Sequence, residues 1–169
     1  MLRAAGRITG EKQFIIIGSQ SLHGKYPDLP DDLVKSFEVD LMALEKADRT
    51  EWLEVIGAYS PFHESFGYYA DPVDDKTATL PKGWKGRLVN LPPGDTDGVR
   101  GLCLDPHDLA IAKYVARREK DLIFTRDLLN AESFPRNDYC PCSIRPPLTK
   151  RRAIEFAPTS PLTSARGGR

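Results

Sequence analysis

The chain has 169 residues, in which 24 Lys and Arg side chains balance 24 Asp and Glu side chains, and 40% of the residues are apolar. A chain of this length can bury a sizeable core without disulfides or structural metals, and we expect one domain over residues 1–135 followed by a tail over 136–169. The zero net charge argues against a general polyanion binder, and the longest apolar runs, such as Phe14 to Ile17, are far shorter than the roughly 20 residues of a membrane span.

The N-terminal stretch and the cysteines bear on the cellular location. The first residues, MLRAAGRITGEKQ, lack the apolar stretch of a secretory signal and predict one short helix. We therefore expect a cytoplasmic protein that does not associate with membranes. Cys103, Cys140 and Cys142 are odd in number and have no His cluster nearby, so we interpret them as ordinary thiols.

Two strands are predicted near the N-terminus. The run FIIIG at 14–18 is typical of a buried strand, since four apolar residues lead directly into a glycine. A short helix is predicted at 20–24. The run SFEVDLM at 36–42 alternates with a period of two, which predicts a second strand with one buried face and one wet face. The buried face would contain Phe37, Val39 and Leu41, and the wet face Ser36, Glu38, Asp40 and Met42.

The middle of the chain predicts shorter elements. Residues 47–57 indicate a helix with Trp52, Leu53 and Ile56 in the core, ending at Gly57. SFGYYADPV predicts a strand that ends in a turn at Asp71-Pro72, and RLVNLP and VRGLCL predict two further short strands. These elements favour an α/β (α+β) fold with a short mixed sheet flanked by helices.

The clearest helical pattern begins at Asp105, which is a typical N-cap residue followed by proline at the first helical position. The helical pattern then runs through DLAIAKYVARREKDLIFTRDLL. Its apolar stripe consists of Leu109, Ala112, Val115 and Ala116, and beside that stripe lie Lys113, Arg117 and Lys120 at positions i, i+4 and i+7. These cations form either a solvated helix edge or a site for phosphate groups.

The tail differs in composition from the rest of the chain. It has seven basic and two acidic residues and contains five prolines. Proline cannot propagate a helix or a central strand, so we expect the tail to wrap the surface as far as Phe156 and to be disordered beyond it. A basic arm that contacts RNA or a partner is the alternative.

Candidate chemistry begins with two acids on the second strand. Side chains two apart in a strand project to the same side, so Glu38 and Asp40 bring two like charges together. A divalent cation relieves their repulsion, and Mg²⁺ prefers one or two carboxylates with waters and phosphates. A solvent-exposed strand face is the alternative. The Gly18-Ser19 turn, between a buried strand and a helix, could bring backbone N–H groups and a hydroxyl to phosphate oxygens.

The order of these elements carries more information than each element alone. A strand, a Gly-Ser turn, a short helix and a strand with two acids together resemble the nucleotidyltransferase fold of the DNA polymerase β type. The sequence is more closely similar to the AbiEii-type branch and to an uncharacterised family of bacterial nucleotidyltransferase-like proteins. Those relatives have a later helix similar to DPHDLAIAKYVARREKDL, with matches at Lys113, Arg117, Lys120 and Asp121. The resemblance covers roughly residues 12–129.

The resemblance implies a set of roles. Mg²⁺ would be held by the strand acids and would bridge the triphosphate of an NTP. The predicted catalytic residues are Glu38, Asp40, Lys113 and Asp121. The predicted substrate-binding residues are Gly18, Ser19, Ser36, Arg117 and Lys120. The predicted metal ligands are Glu38, Asp40 and Asp71.

Two departures from the family pattern affect these predictions. The first strand acid is Glu38 where Asp is commoner, and its longer arm would shift the metal unless the backbone compensates. The third carboxylate of the family is not marked by a motif. Asp71 is our candidate, although an Asp before proline also suits a turn. A protein without the third acid would bind nucleotide without turning it over.

The predicted function is Mg²⁺-dependent nucleotidyl transfer from an NTP to an acceptor hydroxyl on RNA or protein. The resemblance implies a setting in a toxin-antitoxin or phage-defence system. The alternatives are a catalytically inert nucleotide-binding or partner-binding protein of the same fold, and a basic-tailed RNA adaptor. His23, His63 and His107 share no ligand spacing and are interpreted as surface or hydrogen-bonded residues. The aromatic residues of SPFHESFGYY are interpreted as packing residues, with base stacking as the alternative.

Overall fold

A computed structural model describes residues 1–26, 31–34 and 36–131, and its centre is a five-stranded mixed sheet in the order β3-β2-β1-β5-β4. β1 is antiparallel to β2 and parallel to β5, β2 is parallel to β3, and β4 is antiparallel to β5. The expected α/β class with a short mixed sheet is confirmed. The strands are β1 (Gln13–Ile17), β2 (Glu38–Ala43), β3 (Tyr69–Pro72), β4 (Val89–Asn90) and β5 (Arg100–Cys103).

In the part of the chain that the structure describes, five α-helices and three 3-10 helices surround the sheet. Asp105 caps α4 as predicted, because its carboxylate accepts a hydrogen bond of 2.8 Å from the backbone N–H of His107. Within the described ranges, no helix has the length and apolar character needed to cross a membrane. The α-helices are α1 (Leu2–Thr9), α2 (Asp31–Val34), α3 (Pro61–Phe66), α4 (Pro106–Ala116) and α5 (Glu119–Asn130), and the 3-10 helices are Ser19–Gly24, Ala47–Ile56 and Trp84–Arg87.

Alternation along the strands separates the core into two layers. The first layer packs under α1 and the Ala47–Ile56 helix, and the second packs under α4 and α5. Because successive side chains of a strand point to opposite faces, β1 contributes to both layers. The first layer includes Phe14, Ile16, Leu41, Leu53 and Ile56. The second layer includes Ile15, Ile17, Met42, Leu109 and Leu128.

Several predicted burial assignments are wrong. Phe37 and Trp52 were expected in the core, but they are 69% and 51% exposed. Met42 was expected on the wet face of β2 and is buried, because helices cover that face of the sheet. At the end of α4, Val115 and Ala116 are also exposed, so the predicted apolar stripe of this helix is buried only at Leu109 and Ala112.

The long helix predicted after Asp105 is interrupted. α4 ends at Ala116, Arg117 adopts a left-handed conformation with φ 56°, and the extended Arg118 precedes α5. The predicted alignment of Lys113, Arg117 and Lys120 on one helix is therefore wrong. Acidic residues favour the first turn of a helix, and the Glu119 and Asp121 pair is the sequence signal for this second start.

The remaining sequence predictions for the fold concern the N-terminal helix, two short strands, the cysteines and the tail. The N-terminal helix and the strands in RLVNLP and VRGLCL are confirmed as α1, β4 and β5. Cys103 is a free, buried thiol, and burial raises its pKa to about 11. The predictions for Cys140, Cys142 and the tail beyond 136 lie outside the described residues.

Candidate functional site

A cavity of about 550 Å³ lies between the sheet and the α4–α5 junction. The sheet contributes three carboxylates, and the two helices contribute three cations. Opposite charges thus line different walls of the same space. The charged side chains around it are Glu38, Asp40, Asp71, Lys76, Lys113, Arg118 and Lys120.

The three carboxylates come from two neighbouring strands. Asp40 of β2 and Asp71 of β3 are partners in the parallel register, and Glu38 lies two residues before Asp40 on the same face. Strands in a sheet are separated by about 4.8 Å, so the three side chains share one small volume. The turn predicted at Asp71 is wrong, because this residue lies within β3 and lines the cavity.

The pKa values of two of these acids, Asp40 and Asp71, are raised. Burial, followed by the nearby Glu38 and Asp71 carboxylates, raises the pKa of Asp40 to about 6, although Lys113 and Arg118 partly oppose this shift. Partial desolvation also raises the pKa of Asp71, with further contributions from Glu38 and Glu54, while a hydrogen bond with Asp40 opposes this shift. The carboxylate wall therefore carries a charge that a bound cation would relieve.

Gly18 lies directly against the acid wall. Its φ of 70° favours glycine, and a Cβ atom added there would lie 1.8 Å from Oδ2 of Asp40. The backbone N–H and the hydroxyl of Ser21 both donate to the Gly18 carbonyl, at 3.1 and 2.7 Å, and fix the turn. Of the two residues of the Gly-Ser turn, Gly18 is the one that lies against the strand acids.

The two predicted substrate-binding serines, Ser19 and Ser36, are not among the residues that line the cavity. Ser19 is half-buried at the start of the first 3-10 helix and is not among the cavity-lining residues. The Ser36 hydroxyl accepts a hydrogen bond of 3.3 Å from the backbone N–H of Glu38. Ser36 therefore helps to fix the start of β2 and does not line the cavity.

Asp121 joins the two helices that carry the cations. Its carboxylate is 1% exposed, lies 3.1 Å from Lys113 Nζ and forms a second, closer ion pair with Arg118. Burial by itself would raise the pKa of Asp121, but hydrogen bonds from Arg118 and Lys113 hold it below the usual value. Asp121 does not line the cavity. Its ion pairs hold Lys113 and Arg118, which do line the cavity.

Arg118, which no sequence pattern indicated, lines the cavity where Arg117 is expected from the sequence. Arg117 is exposed and is not among the cavity-lining residues, because its left-handed conformation ends α4 before the next residue turns inward. Lys120, at the second position of α5, lines the cavity as predicted. The acid-rich start of α5 was the signal that could have located this change.

A loop after β3 forms a further wall of the cavity, which is not among the sequence predictions. The Asp74 carboxylate accepts hydrogen bonds from the Lys76 N–H at 2.9 Å and from the Thr77 hydroxyl at 3.0 Å. This turn places Lys76, Thr77 and Thr79 along the cavity. Asp followed two residues later by a backbone donor is the pattern of an Asx turn, which was the available signal.

The histidines lie away from the cavity lining. The His63 ring packs on Tyr69 with centroids 4.7 Å apart, and His107 contacts the Asp105 carboxylate at 3.1 Å. Phe62, Phe66 and Tyr68 contact one another beside α3. These contacts agree with the interpretation of both groups as hydrogen-bonded or packed residues.

The donor set fits an open cation site better than a closed metal cage. Across residues 1–26, 31–34 and 36–131, no three His, Cys, Asp or Glu side chains are grouped tightly enough to enclose a metal ion. Mg²⁺ does not need such a cage, because it binds one or two carboxylates and completes its octahedron with waters and phosphate oxygens. Glu38 and Asp40 provide oxygen ligands of this kind, and the absence of a side chain at Gly18 leaves room beside Asp40.

The mixed sheet with helices on both faces is consistent with a nucleotidyltransferase-like fold. Residues 3–135 match the family described as nucleotidyltransferase of unknown function (DUF6036). The match covers most of the chain, and the protein therefore belongs to this family, as the sequence predicted in its coarser form. No curated protein and no solved structure matches the chain. The relation to the AbiEii-type branch stays a resemblance.

Proposed function

We propose that this protein is a Mg²⁺-dependent nucleotidyltransferase that moves a nucleotide from an NTP to a hydroxyl group on RNA or protein. The observation that carries the proposal is one cavity with Glu38, Asp40 and Asp71 on its sheet wall and Lys113, Arg118 and Lys120 on its helix wall. A metal–triphosphate ligand has the matching chemistry, since its cation needs oxygen ligands and its phosphates need positive charge. Membership of a nucleotidyltransferase family supports the same reaction class.

In the proposed reaction, the acceptor oxygen forms a bond with the α-phosphorus of the NTP. The bond from that phosphorus to the oxygen that bridges to the β-phosphate breaks, and pyrophosphate leaves. Mg²⁺ held by Glu38 and Asp40 would supply electrostatic stabilisation of the phosphate oxygens. Lys113, Arg118 and Lys120 neutralise the remaining phosphate charge.

Asp71 is the residue that favours a catalyst over an inert nucleotide binder. It is an exposed carboxylate on the edge strand, beside Asp40, and its pKa is raised. A carboxylate of this kind can accept the proton that the acceptor hydroxyl loses. The position of Asp71 supports turnover, because the sequence alternative of binding without catalysis depended on a missing third acid.

The setting in a toxin-antitoxin or phage-defence system is a further part of the proposal and follows from the resemblance alone. This setting is also the reason why RNA and protein are proposed as acceptors. Both classes therefore need to be offered to the purified protein.

The test is transfer of label from NTPs that carry radioactive phosphorus at the α-position. The purified chain is incubated with Mg²⁺, each of the four NTPs and either RNA or protein from a bacterial lysate. We expect α-label, but not γ-label, to enter an acceptor. Asp40→Asn should lower the rate at least about a hundredfold, because the variant loses a metal ligand and a charge at the reacting phosphate.

The matched control is Asp48→Asn, which makes the same chemical change at an exposed residue of the Ala47–Ile56 helix. This variant should transfer label at the wild-type rate. Full activity of Asp40→Asn would contradict the assignment of the site. Mg²⁺-dependent NTP binding without transfer to any acceptor would favour the inert binder, and transfer of γ-label would indicate phosphoryl transfer.

A further inference from the structure

Glu38 has a longer side chain than the Asp that is common at the first strand acid. One additional methylene adds a rotatable bond, so its carboxylate has more positions to sample than that of an Asp. A metal ligand that samples many positions loses conformational entropy when the ion binds. This site therefore needs a second group that restrains the Glu38 carboxylate.

Tyr69 provides such a restraint. It is the register partner of Glu38 in the β2–β3 pair, and its hydroxyl donates a hydrogen bond of 3.3 Å to Oε2 of Glu38. Partners directly opposite each other on neighbouring strands place their side chains on the same face of the sheet. The contact thus follows from the register of the two strands.

The Tyr69 ring is in turn held by α3. The His63 ring packs against it with centroids 4.7 Å apart and an angle of 54° between the planes. His63 Nδ1 accepts a hydrogen bond of 3.0 Å from the Tyr59 backbone, and its own backbone N–H donates to the Ser60 hydroxyl that caps α3. These contacts hold the Tyr69 ring in place, so its hydroxyl can restrain the Glu38 carboxylate.

We propose that Tyr69 is a positioning residue that holds the Glu38 carboxylate in the orientation that binds the divalent cation. The inference rests on the proposed function, because it needs Glu38 to be a metal ligand. It also explains how the site uses Glu in place of Asp: the hydrogen bond from Tyr69 compensates for the longer arm. In a Glu38→Asp variant the carboxylate would retreat by about 1.5 Å, the length of one carbon–carbon bond, and Tyr69 would lose its partner.

The test measures Mn²⁺ affinity directly, from the electron paramagnetic resonance signal of free Mn²⁺ in the presence of a non-hydrolysable NTP. Mn²⁺ favours the same oxygen ligands and octahedral geometry as Mg²⁺. Tyr69→Phe should weaken Mn²⁺ binding about tenfold, the usual effect of losing a group that orients a metal ligand. Tyr68→Phe is the matched control and should bind as the wild type, because its ring contacts Phe62 and Phe66. Thermal denaturation establishes that both variants are folded.

The double variant separates positioning from packing. In the Glu38→Asp background, Tyr69→Phe should cause no further loss of Mn²⁺ affinity. Equal losses in both backgrounds, or no loss in the native background, would overturn the role of Tyr69 while leaving the metal site intact. A wild-type protein that binds no Mn²⁺ would overturn the proposed function and the role of Tyr69 together.

Discussion

The two faces of the central sheet differ in chemistry although the same strands build both. The face under α1 and the Ala47–Ile56 helix is packed with apolar side chains such as Phe14, Ile16 and Leu41. The face under α4 and α5 is apolar around Met42 and Leu109, but carries Glu38, Asp40 and Asp71 toward the strand ends. Neighbouring residues of β2 therefore contribute to different properties: Leu41 to stability and Asp40 to the cavity.

This difference indicates how one short strand can serve both purposes. A strand reverses the direction of its side chains at every residue, so the charged wall does not interrupt the apolar layer behind it. The acids also lie where α4 and α5 no longer cover the sheet and the cavity begins. Substitutions on one face should consequently change stability, and substitutions on the other should change ligand binding.

The largest effect on stability is expected from Leu41→Ala. Leu41 is fully buried in the first layer, and a buried Leu→Ala change costs about 2–5 kcal/mol through lost burial and the cavity that remains. The adjacent Asp40→Asn should not lower the free energy of unfolding. Urea denaturation at pH 7.5 without divalent cations measures both, and a loss above about 2 kcal/mol in Asp40→Asn would contradict the division between the two faces.

The next effect is the dependence of stability on pH. Asp40 has a pKa of about 6 in the folded protein, against 3.8 for a free Asp side chain. The folded state therefore binds the Asp40 proton more tightly than the unfolded state does. Its contribution to the free energy of unfolding should therefore fall as pH rises from about 4 to 6, and stay low at higher pH. One pKa unit corresponds to about 1.4 kcal/mol, which sets an upper limit of about 3 kcal/mol.

The Asp40→Asn variant isolates this contribution from those of other titrating groups. The difference between wild type and variant in the free energy of unfolding should change between pH 4 and 6 in favour of the variant. Mg²⁺ with a bound NTP should stabilise the wild type at pH 7.5, where Asp40 is ionised, because the ligand binds the folded state and not the unfolded chain. A difference that stays constant across the pH range would contradict the raised pKa.

The parts of the fold that could be predicted have local causes. The period-two pattern of β2 and the β-branched run of β1 mark strands wherever they lie, and the Asp105-Pro106 pair marks a helix start. These patterns predict that Glu38 and Asp40 lie on one side of a strand and that a turn at Gly18 follows β1. The predicted family followed from the order of the same elements.

The parts that could not be predicted have causes that lie elsewhere in the molecule. The sequence around Asp71-Pro72 suits a turn, but proline is tolerated in an edge strand, where its missing N–H is not needed, and β3 is at the edge of the sheet. The positive φ of Arg117 has no signature at that residue, and the only nearby signal is the acidic start of α5 at Glu119 and Asp121. It accompanies the ion pair of the buried Asp121 with Lys113, which forms only when α4 and α5 pack together, whereas the Asp121 pair with Arg118 is local to the start of α5.

The smallest predicted effect compares the two cations that the broken helix separates. Lys120 lines the cavity and Arg117 does not, although a continuous helix would have placed both on the same stripe. Lys120→Met should therefore weaken NTP binding about fivefold, or about 1 kcal/mol, as expected for one partly solvated charge contact. Arg117→Met removes the same charge from the α4–α5 junction and should leave NTP affinity unchanged in isothermal titration calorimetry. Because the two variants are matched in charge, any long-range electrostatic effect is common to both, and an equal loss in the two would mean that the interruption at Arg117 does not separate these cations in solution.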